Sequence, residues 1–232
     1  MKSKIFMSLA IVLLPLLTFA QSKNTATEVR DYRETDGKII IEMVVNGERA
    51  DFVLDLSGHN AILPEYAEKF HIDTASKGDF RYDTFLYKKV PTAGSVSIGT
   101  MAFGNNVFGN NVSAFVLEEQ PYLRKLGVAG IIGGALFQNV VLTIDSKRKK
   151  ITTSVPYRPS YMKLDHRADM NTLPGSVAIF PVTLDSTALS LVFDTWNNGM
   201  FTLTPADYTK INGTTGSSTE LFNGYAEAVT TN

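Results

Sequence analysis

No cysteine occurs in the 232 residues of this chain, and histidine occurs only three times, as His59, His71 and His166. Without cysteine, the chain cannot form disulfides or thiolate metal sites, and a lipid cannot be attached to a cysteine after a signal peptide. The three histidines are scattered and lack the one-turn spacing that zinc hydrolases use. The sequence therefore predicts a fold held by its core alone, with no metal and no other cofactor.

An excess of charge of either sign is also missing. Twenty-two basic and twenty-three acidic residues give a formal net charge of −1, and neither sign forms a long run. Proteins that bind nucleic acid or an anionic membrane surface usually carry a basic patch or segment. We therefore expect neither of these as a partner.

The first twenty residues have the pattern of a secretory signal peptide. Lys2 and Lys4 precede an apolar run at 5–17, and the segment ends in the small residue Ala20. The apolar run is shorter than the roughly 18 to 20 residues that a membrane span needs. We expect cleavage after Ala20, export to the periplasm or the cell exterior, and no membrane anchor in the mature protein.

The remaining sequence is typical of an all-β protein. Residues 38–54 form two runs rich in isoleucine and valine around Asn46-Gly47, which is a strong signal for a β-hairpin. Glycine and asparagine recur between short apolar stretches at 94–111, as turns do between strands. Helical signal is limited to three short segments at or near a proline, 64–70, 121–126 and 205–211.

An internal repeat divides the chain. Residues 39–63 align with residues 178–202 at a constant offset of 139, which places Asp55 over Asp194. Both copies read as strand, polar turn, strand, aspartate and polar loop. An apolar strand that ends in aspartate is common, so coincidence is the alternative explanation. We interpret the repeat as two related units, 21–156 and 176–232, joined by a connection at 157–175.

A specific combination of motifs lies at the end of the first unit. Residues 127–137 read GVAGIIGGALF, a glycine-flanked apolar pair and a short helical stretch, and VVLTID at 140–145 predicts a strand. Together with Asp55 and Asp194, this combination resembles the aspartic peptidases, particularly the retropepsin-like proteins. In that family each lobe supplies one aspartate from an apolar-apolar-Asp-Thr/Ser-Gly loop. The resemblance implies a bilobal β-barrel fold, Asp55 and Asp194 as the catalytic pair, and a peptide or protein as substrate.

Both aspartate loops depart from the family pattern. Leu56 stands at the threonine place and Ser57 at the glycine place, and Gly58 replaces the missing glycine only if the register shifts. The second loop keeps Thr195 but has Trp196 at the glycine place. In the family, the hydroxyl ties the two loops together and glycine allows a close backbone approach. We expect Ser57, Gly58 and Thr195 to support the site, Leu56 to donate no such bond, and Trp196 to need room beside the pair.

These departures leave more than one function open. Two carboxylates within a few ångströms share one proton, so the charged member acts as general base on a water while the protonated member polarises the scissile carbonyl. The rival hypothesis is a non-catalytic module that binds a peptide or protein in the cleft, with both aspartates only capping their loops. The altered loops favour this rival, and retention of both aspartates favours the enzyme. A structural β protein without a cleft function is a third hypothesis.

The second unit is short by comparison with the first. Thirty-eight residues follow Asp194, and they contain no glycine-flanked apolar pair and final strand like those at 131–145. We expect either a reduced second lobe or a chain that continues past Asn232. The sequence makes no prediction about oligomeric state.

Overall fold

The computed structural model describes only part of the chain, and the expected signal peptide at 1–20 lies outside that part, as does most of the expected connection at 157–175. The described residues are 26–73, 81–83, 89–118, 120–155, 171–173, 177–184, 186–196, 203, 205–212, 219–222 and 228–231. Within these ranges, no helix has both the length and the apolar character to span a membrane.

Strands make up most of the described residues, and the predicted all-β class with a few short helices is confirmed. The strands of the first unit are β1 (Ala26–Asp31), β2 (Arg33–Thr35), β3 (Lys38–Val45), β4 (Glu48–Asp55), β5 (Ala61–Ile62), β6 (Arg81–Asp83), β7 (Lys89–Phe103), β8 (Val107–Leu117), β9 (Gly130–Gly133), β10 (Val141–Asp145) and β11 (Lys150–Val155). The later strands are β12 (Asn171–Leu173), β13 (Val177–Leu184), β14 (Thr187–Val192), β15 (Thr219–Phe222) and β16 (Ala228–Thr231). The helices are α1 (Pro64–Lys69), α2 (Pro121–Leu126), α3 (Pro205–Asn212) and a 3-10 helix (Gly134–Phe137).

The main sheet of the first unit closes on itself. Its strands follow the order β2-β3-β4-β9-β5-β8-β7-β6, and β7 also pairs with β3, where Val44 lies opposite Ala102. The strands β3, β4, β9, β5, β8 and β7 therefore form a closed barrel. Closure removes the open edges that a flat sheet would expose. Its interior is apolar, and the Phe52 and Phe70 rings stack there with centroids 6.1 Å apart.

Two hairpins carry the sequence repeat. The predicted hairpin at Asn46-Gly47 is confirmed: β3 and β4 are antiparallel, and both turn residues have the positive φ that a two-residue hairpin turn requires. The second hairpin joins β13 to β14. Lys38 begins the first hairpin and Val177 begins the second, which is the offset of 139 residues seen in the sequence.

The three predicted helices form α1, α2 and α3, with ends within one residue of the prediction. The predicted helical stretch after the glycine-flanked pair is the 3-10 helix. One segment differs from expectation: residues 171–173, within the expected connection, form β12 and pair with β13. Three residues are too few to show strand alternation, so only the neighbouring strand reveals this pairing.

Candidate active site

Asp55 is the last residue of β4 and is 2% exposed. The apolar residues that precede it, Phe52 to Leu54, are buried in the barrel wall, so the strand delivers a carboxylate directly at the edge of the core. A carboxylate removed from water needs hydrogen-bond donors to remain stable. Because Asp55 is buried, the groups that donate hydrogen bonds to its carboxylate determine its chemistry.

Strand β9 holds the first aspartate loop, residues 55–58, from one side. It runs parallel to β4, with Gly133 opposite Asp55, and antiparallel to β5. A Cβ atom on Gly133 would lie 2.3 Å from the Gly58 carbonyl oxygen, and one on Gly130 would lie 2.0 Å from the Ala61 carbonyl oxygen. The two glycines that flank the apolar pair are thus required by close backbone approach.

Asn60 fixes the end of the same loop. Its side-chain oxygen accepts the backbone N–H of Gly133 at 3.0 Å, and its side-chain nitrogen donates to the Ser113 carbonyl at 3.2 Å. Asn60 thereby joins the loop to β9 and β8. Gly58 contributes a backbone turn, because its N–H donates to the Asp55 carbonyl at 3.1 Å.

Thr195 joins the second aspartate loop, residues 194–196, to the first. Its hydroxyl accepts the backbone N–H of Leu56 at 2.9 Å and donates to the Leu54 carbonyl at 2.8 Å. Both hydrogen-bonding capacities of the hydroxyl are therefore used across the two loops. Leu56 has no side-chain hydroxyl and cannot donate a matching hydrogen bond to the second loop. Its side chain packs against the barrel core, and its backbone N–H makes the contact with Thr195.

Ser57 brings the two aspartates together. Its hydroxyl lies 2.7 Å from Oδ1 of Asp55 and 3.0 Å from Oδ1 of Asp194. Oδ1 of each aspartate also accepts the N–H of the residue two positions later: Ser57 donates to Asp55 at 3.0 Å, and Trp196 donates to Asp194 at 2.7 Å. The two loops are therefore built alike, with the hydroxyl between them.

The hydroxyl of Ser57 carries one hydrogen, so it donates fully to only one carboxylate at a time. The second contact becomes a good hydrogen bond when the other carboxyl is protonated and donates to the serine oxygen. The arrangement of Asp55, Ser57 and Asp194 thus suits a pair of carboxyl groups that holds one proton.

Trp196 occupies space away from the carboxylate pair. Its side chain is 5% exposed and packs in an apolar cluster of the first unit, where its ring meets the Tyr122 ring edge-on with centroids 6.1 Å apart. The other buried members of this cluster are Ile40, Val53, Ala61, Leu63, Leu117, Leu123, Leu126, Val128 and Ile131. A tryptophan at the glycine place was expected to need room beside the pair, and this cluster accommodates its ring.

Lys38 is the residue at this site that sequence reasoning missed. It begins β3, is 3% exposed, donates from Nζ to the Trp196 carbonyl, and places Nζ 5.0 Å from the centroid of the Trp196 ring. Burial lowers the pKa of Lys38 below its ordinary 10.5, while the carboxylates of Asp194 and Asp55 oppose that change. The one sequence signal for the burial of Lys38 was its position directly before the apolar residues of β3.

A pocket of about 460 Å³ adjoins the first aspartate loop. Gly58, His59 and Gly133 contribute to its wall, and the His59 ring contacts Phe115 edge-on with centroids 5.8 Å apart. Neither aspartate lines the pocket, and the described residues in its wall include no Asp, Glu, Lys or Arg. Over the described part of the chain, no three His, Asp or Glu side chains are grouped to hold a metal ion.

Comparison with known proteins gives a distant likeness to solved structures. No protein-family model matches the chain, and no curated protein matches it. Among solved structures, the chain is similar to a retropepsin-like aspartic protease from Rickettsia conorii, with 18% sequence identity and a TM-score of 0.41. The alignment covers 56% of this chain and 92% of that chain. So distant a likeness does not assign the family, and the function has to be argued from the geometry of the two aspartate loops.

Proposed function

We propose that this chain hydrolyses peptide bonds by an aspartic-peptidase mechanism, with Asp55 and Asp194 as the catalytic pair. The observation that carries the proposal is the contact of one hydroxyl, that of Ser57, with both carboxyl groups. Two aspartates 139 positions apart, one at the end of β4 and the other two residues after β14, are brought to a single hydroxyl. Loops that only connected strands would not need to bring two carboxyl groups into contact with the same hydroxyl.

The chemistry follows from the arrangement of the pair. One carboxylate accepts a proton from water and makes it nucleophilic, and the protonated partner donates to the oxygen of the scissile carbonyl. Thr195 holds the two loops in register, which keeps the distance between the carboxyl groups constant during the reaction. The pocket beside Gly58, whose described lining holds no carboxylate, lysine or arginine, supports a substrate with neutral side chains near the cleaved bond.

One contact favours a second candidate function, peptide or protein binding without cleavage. The Ser57 hydroxyl already occupies a hydrogen-bonding position between the two carboxyl groups, where the mechanism needs its water. Water must displace that hydroxyl before it can be activated. If it does not, the same cleft binds a peptide and leaves it intact.

The test is a cleavage assay of the exported chain against a mixed peptide library between pH 3 and 7. Asp55→Asn and Asp194→Asn remove one carboxylate each with little change in volume, and Asp31→Asn is a matched control at an exposed aspartate. We expect cleavage by the wild type and by the control, and loss of about 10²-fold or more in each active-site variant. Peptide binding without cleavage would establish the second candidate, and cleavage that survives both active-site substitutions would refute the aspartate pair.

We also propose that the chain acts after export, in the periplasm or outside the cell. The support is the basic, apolar and small-residue order of residues 1–20. N-terminal sequencing of the protein recovered from those compartments should give Gln21 as the first residue. Recovery of an uncleaved N-terminus in the cytoplasm would contradict export.

A further inference from the structure

Lys38 ties strand β3 of the first unit to the second aspartate loop. It belongs to β3 of the first unit, yet its ammonium group donates to the carbonyl of Trp196, two residues after Asp194. The same group faces the Trp196 ring at 5.0 Å, a distance at which a cation is attracted to an aromatic face. Lys38 therefore makes two contacts with the second loop, a hydrogen bond to the Trp196 carbonyl and a cation–π contact with the Trp196 ring.

The carboxylates around Lys38 show what its charge can affect. Asp194, Asp55 and Asp36 all act on the ammonium group. Asp36 has a second cation nearby, because its carboxylate lies 3.4 Å from the exposed ammonium group of Lys125. The remaining two carboxylates are the proposed catalytic pair, and a charge in a buried position is screened less than one at the surface.

We propose that Lys38 is a positioning residue of the aspartate pair, which tethers the second aspartate loop to the first unit and so holds Asp194 beside Asp55. The inference deepens the proposed function and rests on it. Loss of the tether lets the second loop move, and two carboxyl groups that reach the productive geometry less often hydrolyse a substrate more slowly.

The first test is the steady-state kinetics of cleavage. Lys38→Met removes the charge and keeps an unbranched side chain, and Lys125→Met removes the exposed lysine beside Asp36 as the matched control. We expect Lys38→Met to lower kcat by about tenfold or more with little change in KM, and Lys125→Met to leave both unchanged. A kcat equal to that of the wild type in Lys38→Met would overturn the inference.

The absence of cysteine permits a chemical rescue. Lys38→Cys introduces the only thiol of the chain, and 2-bromoethylamine applied under denaturing conditions converts it to an aminoethyl thioether, a close isostere of lysine. Iodoacetamide gives a neutral side chain of similar length. Recovery of kcat, or of folded protein, with the aminoethyl group alone supports the inference. Equal behaviour of the two modified proteins overturns it.

A second measurement does not depend on catalysis. Trp196 is the only tryptophan of the chain, so intrinsic fluorescence reports on the second loop directly. We expect acrylamide to quench Trp196 more strongly in Lys38→Met than in the wild type or in Lys125→Met, because the tether is lost. Equal quenching overturns the tether. If the wild type cleaves no peptide, the proposed hydrolysis fails, and this comparison alone decides the role of Lys38.

Discussion

The Thr195 hydroxyl accepts the backbone N–H of Leu56 at 2.9 Å, and these two residues occupy equivalent places in the two repeats. The contact runs in one direction, because leucine offers no hydroxyl in return. Of these two equivalent places only the second supplies a hydroxyl, which makes Thr195 more important here than it would be in a symmetrical pair.

Thr195→Val should destabilise the protein by about 1–3 kcal/mol. Valine has nearly the same shape but neither accepts the Leu56 N–H nor donates to the Leu54 carbonyl, and part-buried polar groups that lose a partner cost roughly that much. Urea unfolding measures the change, with Thr195→Ser as the control that keeps the hydroxyl. Equal stability of the valine variant and the wild type would mean that the loops are joined by other contacts.

Ser57→Ala should raise the cleavage rate. The hydroxyl contacts both Asp55 and Asp194, and removing it frees that position for water. Displacing a hydrogen bond to a charged group costs about 1.5–3 kcal/mol, so its removal should accelerate the reaction by about tenfold or more. Steady-state kinetics at the pH optimum test this expectation. A slower Ser57→Ala enzyme would show that the hydroxyl supports the pair, as the sequence analysis expected.

Gly133→Ala should be more destabilising than Gly127→Ala. A Cβ at Gly133 meets the Gly58 carbonyl oxygen at 2.3 Å, and the backbone on both sides is held in the barrel, so we expect a cost of about 3 kcal/mol or more. Gly127 has a φ of +71° and no atom within 4 Å of the added Cβ, so alanine there costs only about 1–2 kcal/mol of backbone strain. Thermal or urea unfolding of both variants gives the comparison, and similar losses would refute the close approach.

Stability should depend on pH through Lys38. Burial lowers the pKa of Lys38 in the folded state, while in the unfolded chain it returns to about 10.5. Between these two values the unfolded chain binds more protons, so the contribution of Lys38 to stability rises with pH. The free energy of unfolding of the wild type should therefore gain on that of Lys38→Met as the pH rises towards 10.5. A difference that stays constant, as with a surface lysine such as Lys125, would contradict the burial of the charge.

The pattern of residues predicted most of the elements around the site. Asn46-Gly47 specified its hairpin because few residues other than glycine and asparagine adopt positive φ without strain. Gly130 and Gly133 were recognised by their spacing around Ile131 and Ile132, although the reason for them is the backbone oxygens that lie close by. The catalytic role of Asp55 and Asp194 stays a prediction until the variants are assayed.

Local pattern by itself determined the all-β class, the two equivalent hairpins and an aspartate at or just after the end of each second strand, because strand periodicity and turn chemistry depend on neighbouring residues. Tertiary structure alone decided that Ser57 lies between the two carboxyl groups, that Trp196 enters the core of the first unit, and that Lys38 lies buried against Trp196. The Ser57–Asp194 and Lys38–Trp196 contacts join residues more than 130 positions apart. The residues next to either partner in the sequence do not predict such a contact, because the contact depends on how the closed barrel and the second hairpin pack together.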